Sequence, residues 1–163
     1  MEPRLEELSR RVLEAYRKAG VRLALAEAST GGLIVACLTD IPGASAVVER
    51  GVVPYSNEAK VEQLGVPVAL MVAHGAVSAE VVGAMAEGLL ARSHADVALA
   101  ETGIAGPTGS TETKPVGLTF LAVARRGAST TVERHVFAGT RGEVRRAAAA
   151  RALELLLSVR EHG

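Results

Sequence analysis

The sequence predicts an α/β fold, a three-layer α/β/α sandwich with a mixed, partly antiparallel sheet, as a single domain over residues 1–163. Three observations carry this expectation. Segments with apolar residues at three- and four-residue spacing alternate with short apolar runs, the pattern of helices laid against a sheet. The last two apolar runs are joined by a tight turn, which makes them antiparallel neighbours. Finally, 48% hydrophobic residues with only 2% aromatics and no Trp imply a core of Ala, Val and Leu, suited to close packing of helix on sheet. A chain of 163 residues is long enough to bury a proper core in one domain.

Taken in order, Pro3 to Ala19 is predicted as an amphipathic helix, with Leu5, Leu8, Val12, Ala15, Tyr16 and Ala19 on one face and Gly20 as its cap. Val21 to Ala26 is the first strand, followed by the turn Glu27 to Gly32 and a helix to about Ile41 that Pro42-Gly43 stops. Val47 to Val53 is strand-like, with Gly51 marking a bulge or close packing. A short helix runs to Leu64, then Gly65-Val66-Pro67 is a breaker before a short apolar piece to Ala73. Ser78 caps a helix from Ala79 to Arg92, and Asp96 to Ala100 returns to strand. After the long loop Thr102 to Lys114, Val116 to Ala124 and Thr130 to Phe137 form a hairpin turning at Arg125-Arg126-Gly127. Thr140 and Glu143 make a capping box for a last helix to about Val159.

Composition narrows the function. Basic and acidic residues balance at 18 each, and no basic block stands out beyond Arg145-Arg146. A nucleic-acid binder needs a basic face and stacking aromatics, so direct nucleic-acid binding is not expected. The single Cys37 lies in an apolar run and reads as buried filler; it permits no intramolecular disulfide and no cysteine zinc cluster. No run reaches membrane-spanning length and the charged amino terminus lacks a signal-peptide core, so a cytoplasmic protein without a membrane partner is expected.

Two glycine-bearing stretches and one lysine stand out. Glu27-Ala28-Ser29-Thr30-Gly31-Gly32 joins an apolar strand to an apolar helix, where free N–H groups at a helix start make a ready anion site; a purely structural turn is the equally ordinary reading. The loop from Thr102 to Lys114 is too long and glycine-rich for a plain connector. If Ser56 caps the short helix, Tyr55 and Lys60 occupy the two positions of a hydrophobic staple, which lays the ring beside the lysine stem. For Lys60 to act as a base near neutrality its reference pKa of about 10.4 must fall by roughly three pH units, about 4 kcal/mol. The helix dipole gives only about 0.3 to 1 kcal/mol, so burial has to supply the rest. His74 is far from His94 and His135, forms no ligand pattern with them and reads as a loop residue.

Five motifs together carry a resemblance: Glu27 to Gly32, Gly51-Val-Val-Pro-Tyr-Ser-Asn-Glu-Ala-Lys60, His74-Gly-Ala-Val-Ser78, Thr102-Gly-Ile-Ala-Gly-Pro107 and Lys114-Pro-Val-Gly117. In order and spacing, over nearly the whole chain, they resemble the CinA carboxy-terminal domain family, also known as the nicotinamide mononucleotide deamidase family. The resemblance implies an α/β/α sandwich that hydrolyses nicotinamide mononucleotide to nicotinate mononucleotide and ammonia, using a serine, a lysine and an assisting tyrosine, with no metal and no cofactor. It also implies a homodimer.

One departure matters. The family's motif is Glu-Ser-x-Thr-Gly-Gly, and here the presumed nucleophile position is Ala28, with a serine one place later at Ser29. Either Ser29 or an activated water does the work, or the domain binds a mononucleotide silently, or it is an interaction protein with a vestigial pocket. Pro54, Glu101, Ser110 and Thr140 are smaller departures. For amide hydrolysis the expected roles are Ser29 as nucleophile, Lys60 as base and Tyr55 as proton relay or substrate orienter. Backbone donors at Thr30, Gly31 and Gly32 are expected to hold an oxyanion or a phosphate. Thr102, Gly103 and Gly106 of the second loop, with Arg141 or Arg145, are expected to cradle the phosphate. Asn57 and Ser45 complete the expected substrate contacts, and Lys114 either tethers the second loop or meets the phosphate. Glu27 orients Lys60 or Ser29, or bonds turn N–H groups, while Glu101 close to Lys60 would favour the charged lysine and oppose its use as a base.

Overall fold

The computed structural model describes residues 1 to 162. Its elements are α1 (Pro3–Ala19), β1 (Leu23–Glu27), α2 (Leu33–Thr39), a 3-10 turn (Ala44–Ala46), β2 (Val48–Val52), α3 (Asn57–Leu64), α4 (Val68–His74), α5 (Ala79–Arg92), β3 (Val97–Gly103), β4 (Leu118–Arg125), β5 (Thr131–Val136) and α6 (Arg141–His162). One five-stranded sheet runs β2-β1-β3-β4-β5. The first three strands are parallel, and β4 and β5 are antiparallel to their neighbours, which is the mixed sheet expected.

Strand alternation sorts the core into two unlike layers. Leu23, Leu25, Val97, Leu99, Leu121 and Val123 face one side, where α1, α2 and α6 cover them. Ala24, Ala26, Ala98, Ala100, Ala122 and Ala124 face the other, under α5 and the ends of α3. Small side chains on that second face let the helices sit close. A methyl group added at Gly88 of α5 would stand 1.9 Å from the Leu64 carbonyl oxygen at the end of α3.

The caps form as their chemistry requires. Ser56 accepts the Ala59 N–H at 3.0 Å and Ser78 the Val81 N–H at 3.2 Å. Thr140 and Glu143 make the reciprocal capping box at 3.0 and 3.3 Å.

Three expectations are corrected. The first strand starts at Leu23, because the Val21 N–H is taken by the Tyr16 carbonyl as the chain leaves α1. The apolar piece after Pro67 is a helix, α4, that buries none of its residues and so lacks an amphipathic signature; His74 ends it and is not a loop residue. β3 continues through Glu101 and Thr102 to Gly103, because pairing with Leu121, Phe120 and Thr119 of β4 outweighs the polar composition.

Candidate active site

β1 lies beside β3, and the chain leaves β1 toward β2 on one side and leaves β3 toward β4 on the other, so the carboxyl ends of β1 and β3 flank a topological switch point, where open α/β sheets bind ligands. The Glu27 to Gly32 turn follows β1 there and the long glycine loop follows β3. The register sets Glu27 directly beside Glu101, and both are 0% exposed.

Two buried carboxyls need donors, and the turn supplies them. Glu27 accepts the N–H groups of Ile34 at 2.8 Å and Val35 at 3.0 Å. Glu101 accepts those of Ala28 and Thr30, both at 3.0 Å. The Thr30 hydroxyl lies between them, 2.7 Å from Glu27 and 2.8 Å from Glu101. The Ser29 hydroxyl donates to the remaining Glu101 oxygen. Burial, with Glu101 beside it, pushes the Glu27 carboxyl above the ordinary range, against the pull of its N–H and hydroxyl donors.

This geometry corrects the first anion site. The N–H groups of Thr30, Ile34 and Val35 are occupied by the protein's own carboxyls, that of Gly31 by the Ala28 carbonyl and that of Leu33 by the Thr30 carbonyl, both at 3.1 Å. Thr30, Gly31 and Gly32 line neither site cavity. Their role is the turn itself: Gly31 and Gly32 have φ of 60° and 100°, which only glycine adopts freely. Arg145 donates to the Ser29 carbonyl at 3.0 Å and the Thr30 carbonyl at 2.8 Å, so it braces the turn, and it lines neither cavity. Ser45, exposed in the 3-10 turn, is not brought to the site.

Two adjoining cavities open beside Ser29. One, of about 200 Å³, is lined by Ala28, Ser29, Asn57, Lys60 and Thr102 among others. The second, of about 230 Å³, is lined by the loop Gly103 to Gly106, Thr108, Gly109 and Arg141. Ser29, Tyr55 and Gly103 line both. Neither alone reaches the ~300 Å³ of ordinary ligand clefts, but the two joined do. A larger cavity of about 330 Å³ between α1 and the end of α2, bounded by Arg10, Arg17 and Ile41, has no nucleophile in its wall.

Gly103 is what lets Ser29 reach this junction, since a methyl group there would lie 2.9 Å from the Ser29 hydroxyl. Lys60 is 3% exposed. Burial lowers its pKa, while the Glu101 charge opposes that fall. Its ammonium donates to the Tyr55 backbone carbonyl at 3.0 Å, while the Tyr55 hydroxyl faces Arg141 at 3.4 Å. The Lys60 ammonium therefore does not meet the Tyr55 hydroxyl, because Tyr55 is 63% exposed and turned toward α6. Nor is Lys60 the hydrogen-bond partner of Ser29: that is Glu101. Arg141 holds the second loop through the Gly106 carbonyl at 2.8 Å, Thr102 donates to the Ala76 carbonyl at 3.0 Å, and Lys114 tethers the loop to the His74 carbonyl. Asn57, Thr102, Gly103, Gly106 and Arg141 are thus brought to the walls of the two cavities.

Glu101 is the residue whose role sequence reasoning missed. The signal was a carboxylate at the end of a strand parallel to the one ending in Glu27, legible only once β3 is known to extend that far. Among the described residues no three His, Cys, Asp or Glu side chains gather as a metal-binding group, and no helix is long and apolar enough to cross a membrane.

Comparison with known proteins agrees with the fold. A CinA-like protein of Anaeromyxobacter sp. is 49% identical over 151 residues, covering 93% of this chain and 37% of its own length. A CinA-like protein of Geobacter sulfurreducens is 49% identical over 145 residues, covering 89% and 35%. The chain therefore spans little more than a third of the curated relatives it matches. Among solved structures, the competence/damage inducible protein CihA from Agrobacterium tumefaciens superposes with a TM-score of 0.95 at 42% identity, covering 97% of this chain and 96% of that one. A competence-damaged protein (CinA) superfamily protein from Klebsiella pneumoniae gives a TM-score of 0.94 at 34% identity over 98% and 99%. The family description "CinA C-terminal domain" matches residues 5–160, and with the fold and the site motifs in place the chain belongs to that family.

Proposed function

We propose that this domain is a serine-dependent, metal-independent amidohydrolase that converts nicotinamide mononucleotide and water to nicotinate mononucleotide and ammonia. The observation that carries the reading is the Ser29 hydroxyl, hydrogen-bonded to a buried carboxyl at the junction of two cavities, with the buried Lys60 in one wall. A mononucleotide has two parts to place. The pyridine carboxamide fits the cavity of Ser29 and Lys60, and the phosphate fits the glycine loop, with Arg141 at its rim.

In this scheme the Ser29 oxygen attacks the carboxamide carbon and the carbonyl electrons move onto oxygen. The Lys60 ammonium opposes that charge in a site shielded from water. Collapse breaks the C–N bond and releases ammonia, and water then cleaves the ester. Tyr55, held by Arg141 at the mouth of both cavities, orients the substrate. The test is ammonia release from nicotinamide mononucleotide by purified protein with and without a chelator. Release that survives the chelator and disappears in Ser29→Ala is expected; no release, or loss with chelator, refutes the scheme.

A second reading has one observation in its favour. Ala28 puts a methyl group where the family presents its serine, and it is 6% exposed in the wall beside Lys60. A catalytically silent mononucleotide-binding domain would bind without turnover and gain activity in Ala28→Ser.

A further inference from the structure

We infer that the proton acceptor of Ser29 is Glu101, linked through the Thr30 hydroxyl to Glu27, and not the buried lysine. The inference rests on the proposed amide hydrolysis and concerns which group serves its nucleophile.

The argument is a count of protons. Two hydrogen bonds connect Glu27, Thr30 and Glu101 in a row, at 2.7 and 2.8 Å, but a threonine hydroxyl owns one hydrogen. The second must sit on a carboxyl, since two carboxylates cannot both face one oxygen that has a single proton. Glu101 already faces the N–H groups of Ala28 and Thr30 and the hydroxyl of Ser29. All of these, and the Thr30 hydroxyl, are satisfied at once only if Glu101 accepts throughout, so the extra proton belongs to Glu27. The row then reads Glu27 carboxyl to Thr30 hydroxyl to Glu101 carboxylate, with Ser29 donating from the other side. The charged groups around Glu101 are Glu27 from β1, Lys60 from α3 and Arg145 of α6 on the turn carbonyls, while β4 presents Leu121. Lys60 donates to the Tyr55 carbonyl and makes no hydrogen bond with Ser29, so it is not placed to take the Ser29 hydrogen.

The step balances. The Ser29 O–H breaks as its oxygen bonds the carbonyl carbon, the hydrogen passes to Glu101, and the carbonyl electron pair moves onto oxygen. On collapse the C–N pair goes to nitrogen, which takes that hydrogen from Glu101 and leaves as ammonia.

The test avoids the substrate. Phenylmethylsulfonyl fluoride is reacted with the purified protein and the modified peptide is read by mass spectrometry. Ser29 is expected to be labelled, with Glu101→Gln slowing labelling on the order of 100-fold. Wild-type labelling is expected not to show, between about pH 6 and about pH 8, the climb that deprotonation of an amine acceptor would produce. The pH profile decides even if Glu101→Gln fails to fold. Unlabelled Ser29 in the wild type, a Glu101→Gln variant labelled at the wild-type rate, or a climbing profile that Lys60→Met abolishes overturns the inference. Labelled Ser29 without ammonia release from nicotinamide mononucleotide instead overturns the substrate reading and leaves the Glu101 assignment standing.

Discussion

Ala28 and Ser29 are one bond apart in the chain but do different things in the pocket. The methyl group of Ala28 lines only the Lys60 cavity, while the Ser29 hydroxyl reaches both cavities and is bonded to Glu101. Ser29→Ala is therefore expected to lower ammonia release on the order of 100-fold or more, and Ala28→Ser to change it by no more than about threefold. Steady-state kinetics on the two variants checks this, and activity appearing only in Ala28→Ser would favour the silent domain. Lys60 gives a prediction of opposite sign for stability. Its folded pKa lies below its unfolded value because burial disfavours the charged form. That penalty is present at neutral pH and fades as pH rises through the unfolded pKa of about 10.4. Lys60→Met should thus raise the thermal midpoint at neutral pH, by about 2 °C, while ammonia release is lost. The position of Lys60 in its motif was legible from sequence; its partner was not, because hydrogen-bond direction depends on where Tyr55 turns its carbonyl and its ring.

At the scale of elements, the alanine face of the sheet governs how α3 and α5 meet it. Gly88→Ala would force a methyl group against the Leu64 backbone, which has no rotamer to yield. We expect a loss of about 1–3 kcal/mol, measured by urea unfolding, and a displaced α3, seen as weaker mononucleotide binding. Periodicity and apolar runs exposed most of these elements in advance, because α1 buries one clear face, β1, β3 and β4 are buried on both, and Ser56, Ser78 and Thr140 cap as their chemistry dictates. It failed at α4 because a two-turn helix that buries nothing carries no such signal. It also failed at the end of β3, where a strand centred in a sheet continues through Glu101 and Thr102 on the strength of its neighbours.

For the molecule as a whole, one ion pair ties the sheet edge to the last helix. Arg151 of α6 holds both oxygens of Glu133 on β5 at 2.8 and 2.6 Å, and with burial opposing it brings that carboxyl down to about 2. A folded value depressed below the unfolded one contributes stability that is present above about pH 4.3 and is lost as pH falls through the folded value. Glu133→Gln should therefore cost about 1 kcal/mol at neutral pH, after solvent screening, and nothing near pH ~2, as read by unfolding across that range. The layers and the antiparallel final hairpin follow from patterns spread over the whole chain, so they were legible, whereas the order of the first three strands was not. The Glu27, Thr30 and Glu101 row was not, since it depends on register between strands. Ser29 and Glu101 stand 72 positions apart and meet only when β1 and β3 have zipped together. A fragment ending before β3 would carry the serine without its partner, so Ser29 reactivity should recover during refolding in step with completion of the sheet and act as a built-in reporter of assembly.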